Sequence, residues 1–346
     1  MQTTLIGSDN QAGIHPTILR AISEASVGGA SAYGDDALSQ RVAAQISEVF
    51  ETPCEVYLVA TGTAANALIL SAMTPPWGAI FCHHGAHVIN DENTAPELFS
   101  GGGRQIGLAG PFGKPCLDEL SDKLSTLTQH DVHNIKPAAI SLTNATEQGT
   151  VFHPHELAAY AEVAGRAGLG LHVDGARFSN AVISTGASPA DLTWRAGVDA
   201  LSFGATKNGA MAAEAVVLFN DRFSEDFAYR RKRTGHLWSK HRFLAAQFEA
   251  FLRDGLWLEN ARHANAMAAK LATGLEALNG VDLPWPTEAN EVFPVLPDSI
   301  DAALESAGFV YYPWPVVAGM KRLVTSFATR EEDIDRLLAV AQSAAA

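Results

Sequence analysis

Short apolar segments alternate with longer segments of helical periodicity between Glu55 and about Phe219. The apolar segments have the length of buried strands, and the segments between them repeat apolar residues every three or four positions. This alternation predicts an α/β fold: a doubly wound, mostly parallel seven-stranded sheet with helices on both faces. The predicted strands are Glu55–Ala60, Ala79–His83, Gln105–Leu108, Ala138–Leu142, Leu169–Asp174, Ala200–Phe203 and Ala213–Phe219. The predicted helices between them are Thr63–Met73, Leu117–Thr128, Pro154–Ala167 and Arg177–Thr185.

The pattern changes after Asp221, where one long helical stretch is predicted up to about Asp254. A chain of 346 residues is long enough for two domains. We therefore predict an N-terminal segment at the active site (1–15), a large domain (16–255) and a smaller α/β domain (256–346). The predicted elements of the last part are Leu256–Leu278, Glu291–Leu296, Ile300–Ala307, Arg322–Phe327 and Glu331–Ala345.

The composition excludes several classes of partner. Acidic residues outnumber basic ones by 38 to 24, giving a net charge of −14, which argues against nucleic acid or an anionic membrane. Cys54, Cys82 and Cys116 lie far apart, so neither a disulfide framework nor a structural zinc site is expected. Neither a secretory signal nor an apolar run of about 18–20 residues is recognisable. We expect a cytoplasmic protein.

Three segments beside predicted strands carry chemically useful residues. Thr61-Gly62-Thr63 opens a helix, where free backbone N–H groups suit a phosphate. Small residues at such a turn more often serve only to let the chain turn tightly. Asp174 ends a buried strand and needs a partner; its alternative role is to cap the next helix and pair with Arg177. Lys207 lies in a loop of small residues, where a lysine can act as an amine nucleophile but is usually a surface charge.

Together these segments match the needs of pyridoxal 5′-phosphate (PLP). Its phosphate needs a helix N-terminus, its pyridinium nitrogen needs a carboxylate, and its aldehyde needs an amine. The sequence contains no GxxxxGK[ST] and no GxGxxG motif, which argues against a P-loop kinase and a dinucleotide-dependent dehydrogenase.

On this pattern the chain resembles the low-specificity L-threonine aldolases, which are PLP-dependent enzymes of fold type I. The resemblance extends over nearly the full length and is nearest to the Pseudomonas-type branch. It implies cleavage of L-threonine, L-allo-threonine and related β-hydroxy-α-amino acids such as phenylserine to glycine and an aldehyde. The motifs that carry it are Ser8-Asp9-Asn10, Ala32-Tyr33-Gly34-Asp35-Asp36, Thr61–Asn66, Ala86-His87-Val88 followed by Asp91-Glu92, Asp174-Gly175-Ala176-Arg177, Thr206-Lys207-Asn208 and Arg322-Leu323-Val324-Thr325.

The resemblance also implies a role for each matching residue. Lys207 would hold PLP through its amine, Asp174 would keep the ring nitrogen protonated, and His87 would stack on the ring and act as the base. The implied cofactor-binding set is Gly62, Thr63, His87, Asn144, Asp174, Arg177, Thr206, Lys207 and Lys232. The implied substrate-binding set is Ser8, Tyr33, Arg177 and Arg322. Lys232 would come from a neighbouring subunit, the alternative being a solvated helix face.

One departure from the family pattern concerns the base. Many members carry Asn-Thr-His after the central strand, whereas this chain reads Asn144-Ala145-Thr146. His133 and Asp91 are therefore further candidates for the catalytic set, and the choice between them and His87 stays open. Another PLP reaction on the same fold, β-elimination or transamination of a small amino acid, is the alternative function. The family further implies a homotetramer with active sites at a dimer interface.

Overall fold

The computed structural model describes residues 3–129 and 131–345. Its strands are β1 (Thr4–Leu5), β2 (Glu55–Val59), β3 (Gly78–His83), β4 (Arg104–Leu108), β5 (Lys136–Thr143), β6 (Gly170–Gly175), β7 (Ala200–Gly204), β8 (Glu214–Leu218), β9 (Glu291–Val292), β10 (Phe309–Val310), β11 (Tyr312–Pro313) and β12 (Lys321–Val324). Its α-helices are α1 (Pro16–Ala25), α2 (Ala37–Val49), α3 (Gly62–Met73), α4 (His87–Asn90), α5 (Ala95–Ser100), α6 (Leu117–Thr128), α7 (Pro154–Ala167), α8 (Phe178–Thr185), α9 (Phe227–Arg233), α10 (Arg242–Leu252), α11 (Leu256–Glu276), α12 (Asp298–Ser306) and α13 (Glu331–Ala345).

The large sheet has seven strands in the order β2-β8-β7-β6-β5-β3-β4. Strand β8 runs antiparallel to both of its neighbours, β7 and β2, and every other pair in this sheet is parallel. The predicted seven-stranded, mostly parallel sheet is therefore confirmed. Because the parallel strands end at the same edge, the residues that follow β5, β6 and β7 are brought together there.

Apolar side chains leave this sheet on both faces, as the doubly wound prediction requires. Successive residues of one strand, such as Ile80 and Phe81, belong to two different hydrophobic clusters, because side chains alternate along a strand. One cluster includes residues of α3, and the other includes residues of α1, α2, α6, α7, α8 and α10. The sheet is thus buried between two layers of helices.

Two predicted elements differ from the structure. The long helix predicted after Asp221 is wrong, because α9 and α10 are separated by the turn at 234–241, in which Gly235 has a positive φ of 83°. The predicted strand Glu291–Leu296 is shorter than expected. It ends at Val292, two residues before Pro294, which has no backbone N–H to donate within a sheet.

The C-terminal part forms its own hydrophobic cluster. Residues of α11, α12 and α13 pack there with the sheet β11-β12-β9. Strand β1 pairs in parallel with β10, so the N-terminal segment joins this part of the molecule. The domain boundary at residue 256 stays a prediction. None of the described helices is long and apolar enough to cross a membrane.

Candidate active site

A cavity of about 430 Å³ lies at the edge where β5, β6 and β7 end, beside the first turn of α3. A cavity of this size suits a small ligand. Most of the residues singled out in the sequence line it. They are Gly62, Thr63, His87, Asp91, Asp174, Arg177, Thr206, Lys207 and Arg322.

The first turn of α3 forms one wall of the cavity. The Thr61 side chain caps the helix by accepting a hydrogen bond from the Ala64 N–H at 3.2 Å. The N–H groups of Gly62 and Thr63 belong to the first turn, where a helix offers no acceptor of its own. A Cβ atom placed on Gly62 would meet nothing within 4 Å, so space is open beside these donors. This wall can bind an anion.

Asp174 lies at the end of β6 and is buried. Its Oδ2 accepts a hydrogen bond from Asn66 Nδ2 at 2.8 Å, and its Oδ1 accepts one from the Ala176 N–H at 3.0 Å. Burial alone would raise the pKa of Asp174, but the nearby charges of His87 and Lys207 and the Ala176 N–H hold it below its usual value. The carboxylate is therefore ionised and can pair with a cationic ligand group.

Lys207 follows β7 in a short helical turn, and hydrogen bonds of the residues on either side of it hold this turn in place. The side chain of the next residue, Asn208, donates to the carbonyl oxygen of Trp257 at 2.8 Å, and Asn260 donates to the Asn208 carbonyl at 2.9 Å. The preceding residue, Thr206, accepts a hydrogen bond from the Ala213 N–H at 3.1 Å. These contacts hold the backbone of Lys207 while its side chain lines the cavity.

His87 is the first residue of the short helix α4. Its Nδ1 lies 3.0 Å from Glu92 Oε1, and this hydrogen bond is the main reason that its pKa is raised. Its backbone N–H donates to Glu147 Oε1 at 2.7 Å, so both the ring and the backbone are held by carboxylates. His87 Nε2 has no hydrogen-bond partner in the described part of the chain and is the ring atom available to a ligand.

His87, Glu92 and Asp174 each offer one donor atom within 4.8 Å of the others, as a metal site could. Asn66 Nδ2, however, already donates to both carboxylates, at 2.7 Å to Glu92 and 2.8 Å to Asp174. The amide thus links the two carboxylates and His87 is bonded to Glu92, an arrangement that stands without a cation.

Two further carboxyl groups line the cavity and were not singled out in the sequence. Burial raises the pKa of Glu147 and that of Glu214 to about 7. Glu147 accepts hydrogen bonds from His87 and from Thr143 Oγ1, the latter at 2.8 Å. Glu214 is the first residue of β8. The sequence signal for Glu214 is an acid at the start of an apolar strand, since a Glu side chain is rarely buried there without a partner.

A network of four charged side chains forms the opposite wall of the cavity. Arg177 donates to both oxygens of Asp9, at 2.7 and 3.0 Å, and its Nη1 lies 3.4 Å from Glu291. Arg322 donates through Nε and Nη2 to Glu291 Oε1, at 3.1 and 2.8 Å. The alternative role of Asp174, pairing with Arg177, is therefore absent, because Arg177 pairs with Asp9 and Glu291 instead. Arg322 keeps N–H groups free for a ligand.

The comparisons with known proteins agree with this geometry. The family model described as "Beta-eliminating lyase" matches residues 6–298. The chain belongs to the β-eliminating lyase family. It is 41% identical to the low-specificity L-threonine aldolase of a Pseudomonas strain, over 98% of this chain and 97% of that protein. It is 43% identical to the protein of the same name from Pseudomonas aeruginosa, over 98% of this chain and 96% of the relative.

Solved structures support the same family. A threonine aldolase of Leishmania major superposes with a TM-score of 0.92 at 31% identity, with 99% of each chain covered. An aspartate aminotransferase of Rhodobacter sphaeroides superposes with a TM-score of 0.72 at 15% identity, covering all of this chain and 93% of the other. The second match shows the fold alone. The fold is that of the fold type I PLP enzymes, as the resemblance implied.

Two sequence-predicted residues of this family member lie just outside the cavity. Ser8 caps a short turn by accepting the Asn10 N–H at 3.2 Å, and Asn10, not Ser8, lines the cavity. Asn144 is buried beneath it: its Oδ1 accepts the Phe152 N–H at 3.0 Å, and its Nδ2 donates to the Phe152 carbonyl at 3.2 Å. These two bonds tie Asn144 to the loop after β5, and its side chain does not line the cavity.

Three other predicted residues lie on the surface of the chain. Tyr33 and Lys232 are exposed, and the Lys232 ammonium lies 5.1 Å from the centre of the Tyr33 ring. His133 precedes β5, so it lies at the amino edge of the sheet, opposite the edge that holds Lys207. Within one chain these residues do not line the cavity. A role for them in catalysis requires a neighbouring copy of the chain.

Proposed function

We propose that this protein is a PLP-dependent lyase, a low-specificity L-threonine aldolase. It cleaves L-threonine, L-allo-threonine and related β-hydroxy-α-amino acids such as phenylserine to glycine and an aldehyde. The observation that carries this proposal is the cavity that joins the Lys207 amine, the buried Asp174 carboxylate and the open first turn of α3. The named Pseudomonas relatives, similar over their whole length, support the choice of reaction.

The residues present fit PLP. Gly62, Thr63 and Thr206 would hold its phosphate, Asp174 its ring nitrogen and Lys207 its aldehyde carbon. When bound, PLP supplies an aldehyde that reacts with amines and a cationic ring that accepts the electron pair of the breaking bond. The ionised state of Asp174 suits it to keep that ring nitrogen protonated.

The remaining residues of the cavity act on the substrate. Arg322, held by Glu291, would bind the α-carboxylate through its free N–H groups, with Arg177 beside it in the same network. This contact orients the substrate and so decides which bond at the α-carbon is broken. His87 Nε2 would receive the proton of the β-hydroxyl group, directly or through water, while Glu92 stabilises the charge that the ring gains.

Asp91 and His133 remain candidate proton carriers. Asp91 lines the cavity one turn beyond His87, whereas His133 could reach it only from another subunit. We propose a homotetramer, a dimer of dimers whose active sites lie at the dimer interface. Support comes from the surface position of Lys232 and Tyr33 and from Tyr229, which lies on the same helix as Lys232 and is 77% exposed. The free, scattered cysteines support a cytoplasmic location.

The deciding experiment is an assay of the purified, PLP-loaded protein with L-threonine. We expect equimolar acetaldehyde and glycine, and neither product from the Lys207→Ala variant. A second candidate is β-elimination, which the description of the matching family favours. Pyruvate from L-serine, without aldehyde from L-threonine, would replace the aldolase by that reaction.

A further inference from the structure

Glu214 is a buried acid that the proposed mechanism does not use. In the register of the large sheet it pairs with Val59 on one side and with Gly204 on the other. Three residues after Val59, the chain enters α3 at Gly62, and two residues after Gly204 it reaches Thr206. The pairing therefore places Glu214 between the two segments that would hold the cofactor phosphate.

Within one chain, the surroundings of Glu214 contain little positive charge. Lys207 and Asp174 are the charged groups that act on it, with opposite signs, and Thr206 is its polar neighbour. Helix α3 carries no charged residue, and the acid of β2, Glu55, lies at the far end of that strand, opposite Leu218. Burial dominates, so the pKa of Glu214 is raised to about 7.

A phosphate bound between these segments would bring two negative charges close to this carboxyl group. Two like charges in a buried site strongly disfavour each other's ionised forms. An un-ionised carboxylic acid removes the repulsion and offers an O–H donor to a phosphate oxygen. The repulsion between Glu214 and the phosphate is therefore removed if Glu214 carries a proton while the phosphate is bound.

We propose that Glu214 is part of the phosphate site and acts there as a neutral carboxylic acid, taking one proton from solvent when the cofactor binds. This proposal rests on the proposed function, because it needs PLP as the ligand. The proton is bound at a Glu214 carboxylate oxygen, and no other bond changes. PLP binding should consequently weaken as pH rises, through the ionisation of this residue.

The test compares PLP affinity from pH 6 to pH 9 for three full-length proteins: wild type, Glu214→Gln and Glu55→Gln. Glu55 is the control, since it is an acid of the neighbouring strand β2 but lies at the far end of that strand, opposite Leu218, and does not line the cavity. The titration of PLP itself is common to all three. Above pH 7 the dissociation constant of wild type should rise relative to that of Glu214→Gln, by up to about tenfold per pH unit.

Glu55→Gln should follow wild type. Identical pH dependence in wild type and Glu214→Gln would overturn the proposal. If the wild-type protein does not bind PLP at any pH, both the proposed function and this proposal are overturned.

A second measurement uses wild type alone and does not depend on the folding of a variant. Proton uptake at pH 8 is compared by calorimetry for PLP and for pyridoxal, which lacks the phosphate. We expect about one additional proton with PLP. Equal uptake with the two ligands would contradict a neutral Glu214 at the phosphate.

Discussion

At the scale of single residues, the cavity is notable for how many of its functional groups are held by carboxylates. Glu92 holds the His87 ring, Glu147 holds the His87 backbone and Glu291 holds Arg322. Each acid fixes the position of the group that it accepts a hydrogen bond from, and Glu92 also raises the pKa of His87. Two predictions follow from individual members of this set.

The first concerns Glu92, which raises the pKa of His87. A base must be neutral to accept a proton, so kcat/KM should fall as pH decreases through the pKa of His87. Glu92→Gln removes the negative charge, lowers that pKa and should move the acidic limb of the pH profile to lower pH by up to about one unit. Glu97→Gln, a change in the neighbouring helix α5, should leave the limb in place.

If the acidic limb of the pH profile stays in place in Glu92→Gln, His87 is not the base. Asp91 or a water molecule would then be the group to examine.

The second concerns Arg322 and the substrate carboxylate. Arg322→Ala removes charge-assisted hydrogen bonds of about 1.5–3 kcal/mol, so KM for L-threonine should rise roughly tenfold to a hundredfold. The visible spectrum of bound PLP should be unchanged, because Glu291 still has Arg177 as a partner. Lys321→Ala is the control, since Lys321 pairs with Asp301 and does not line the cavity. Loss of PLP from Arg322→Ala would contradict this assignment.

At the scale of elements, the Asp9–Arg177 pair ties the N-terminal segment to the end of β6. Arg177→Ala would leave the buried Asp9 carboxylate without its cation, while Glu291 keeps Arg322. The expected cost is about 3–5 kcal/mol in the free energy of unfolding. Asp9→Asn keeps a hydrogen-bond acceptor and should cost less. Urea unfolding of the three proteins measures both values. A loss below about 1 kcal/mol in Arg177→Ala would show that the network does not stabilise the fold.

The sequence predicted the central elements well because their signals are local. The buried strand ending at Asp174 and the helix opening near Thr63 are visible as an apolar run and a small-residue turn, and both lie where expected. The direction of β8 and the pairing of β1 with β10 depend on contacts between distant segments, and no local pattern specifies them. For the same reason the sequence could not show that Arg177 pairs with Asp9 rather than Asp174.

At the scale of the whole molecule, the chain holds some predicted site residues far from its own cavity. Lys232 and Tyr33 lie together on the surface, and His133 lies at the opposite sheet edge. The proposed dimer would explain the first two if one protomer completes the cavity of its partner. Symmetric oligomers make this arrangement reciprocal, because the same surface meets itself across a two-fold axis.

Subunit mixing tests whether Lys232 acts across an interface. Lys207→Ala removes the reacting amine of its own site, and Lys232→Glu would disrupt the phosphate site of the neighbour. In a random mixture a complete site needs the Lys207 of one variant chain and the Lys232 of the other, so roughly a quarter of wild-type activity should appear. Each variant assayed alone should be far less active than the co-expressed pair. A mixture no more active than the sum of the separate variants would place Lys232 outside the partner's site and leave it a solvated residue of α9.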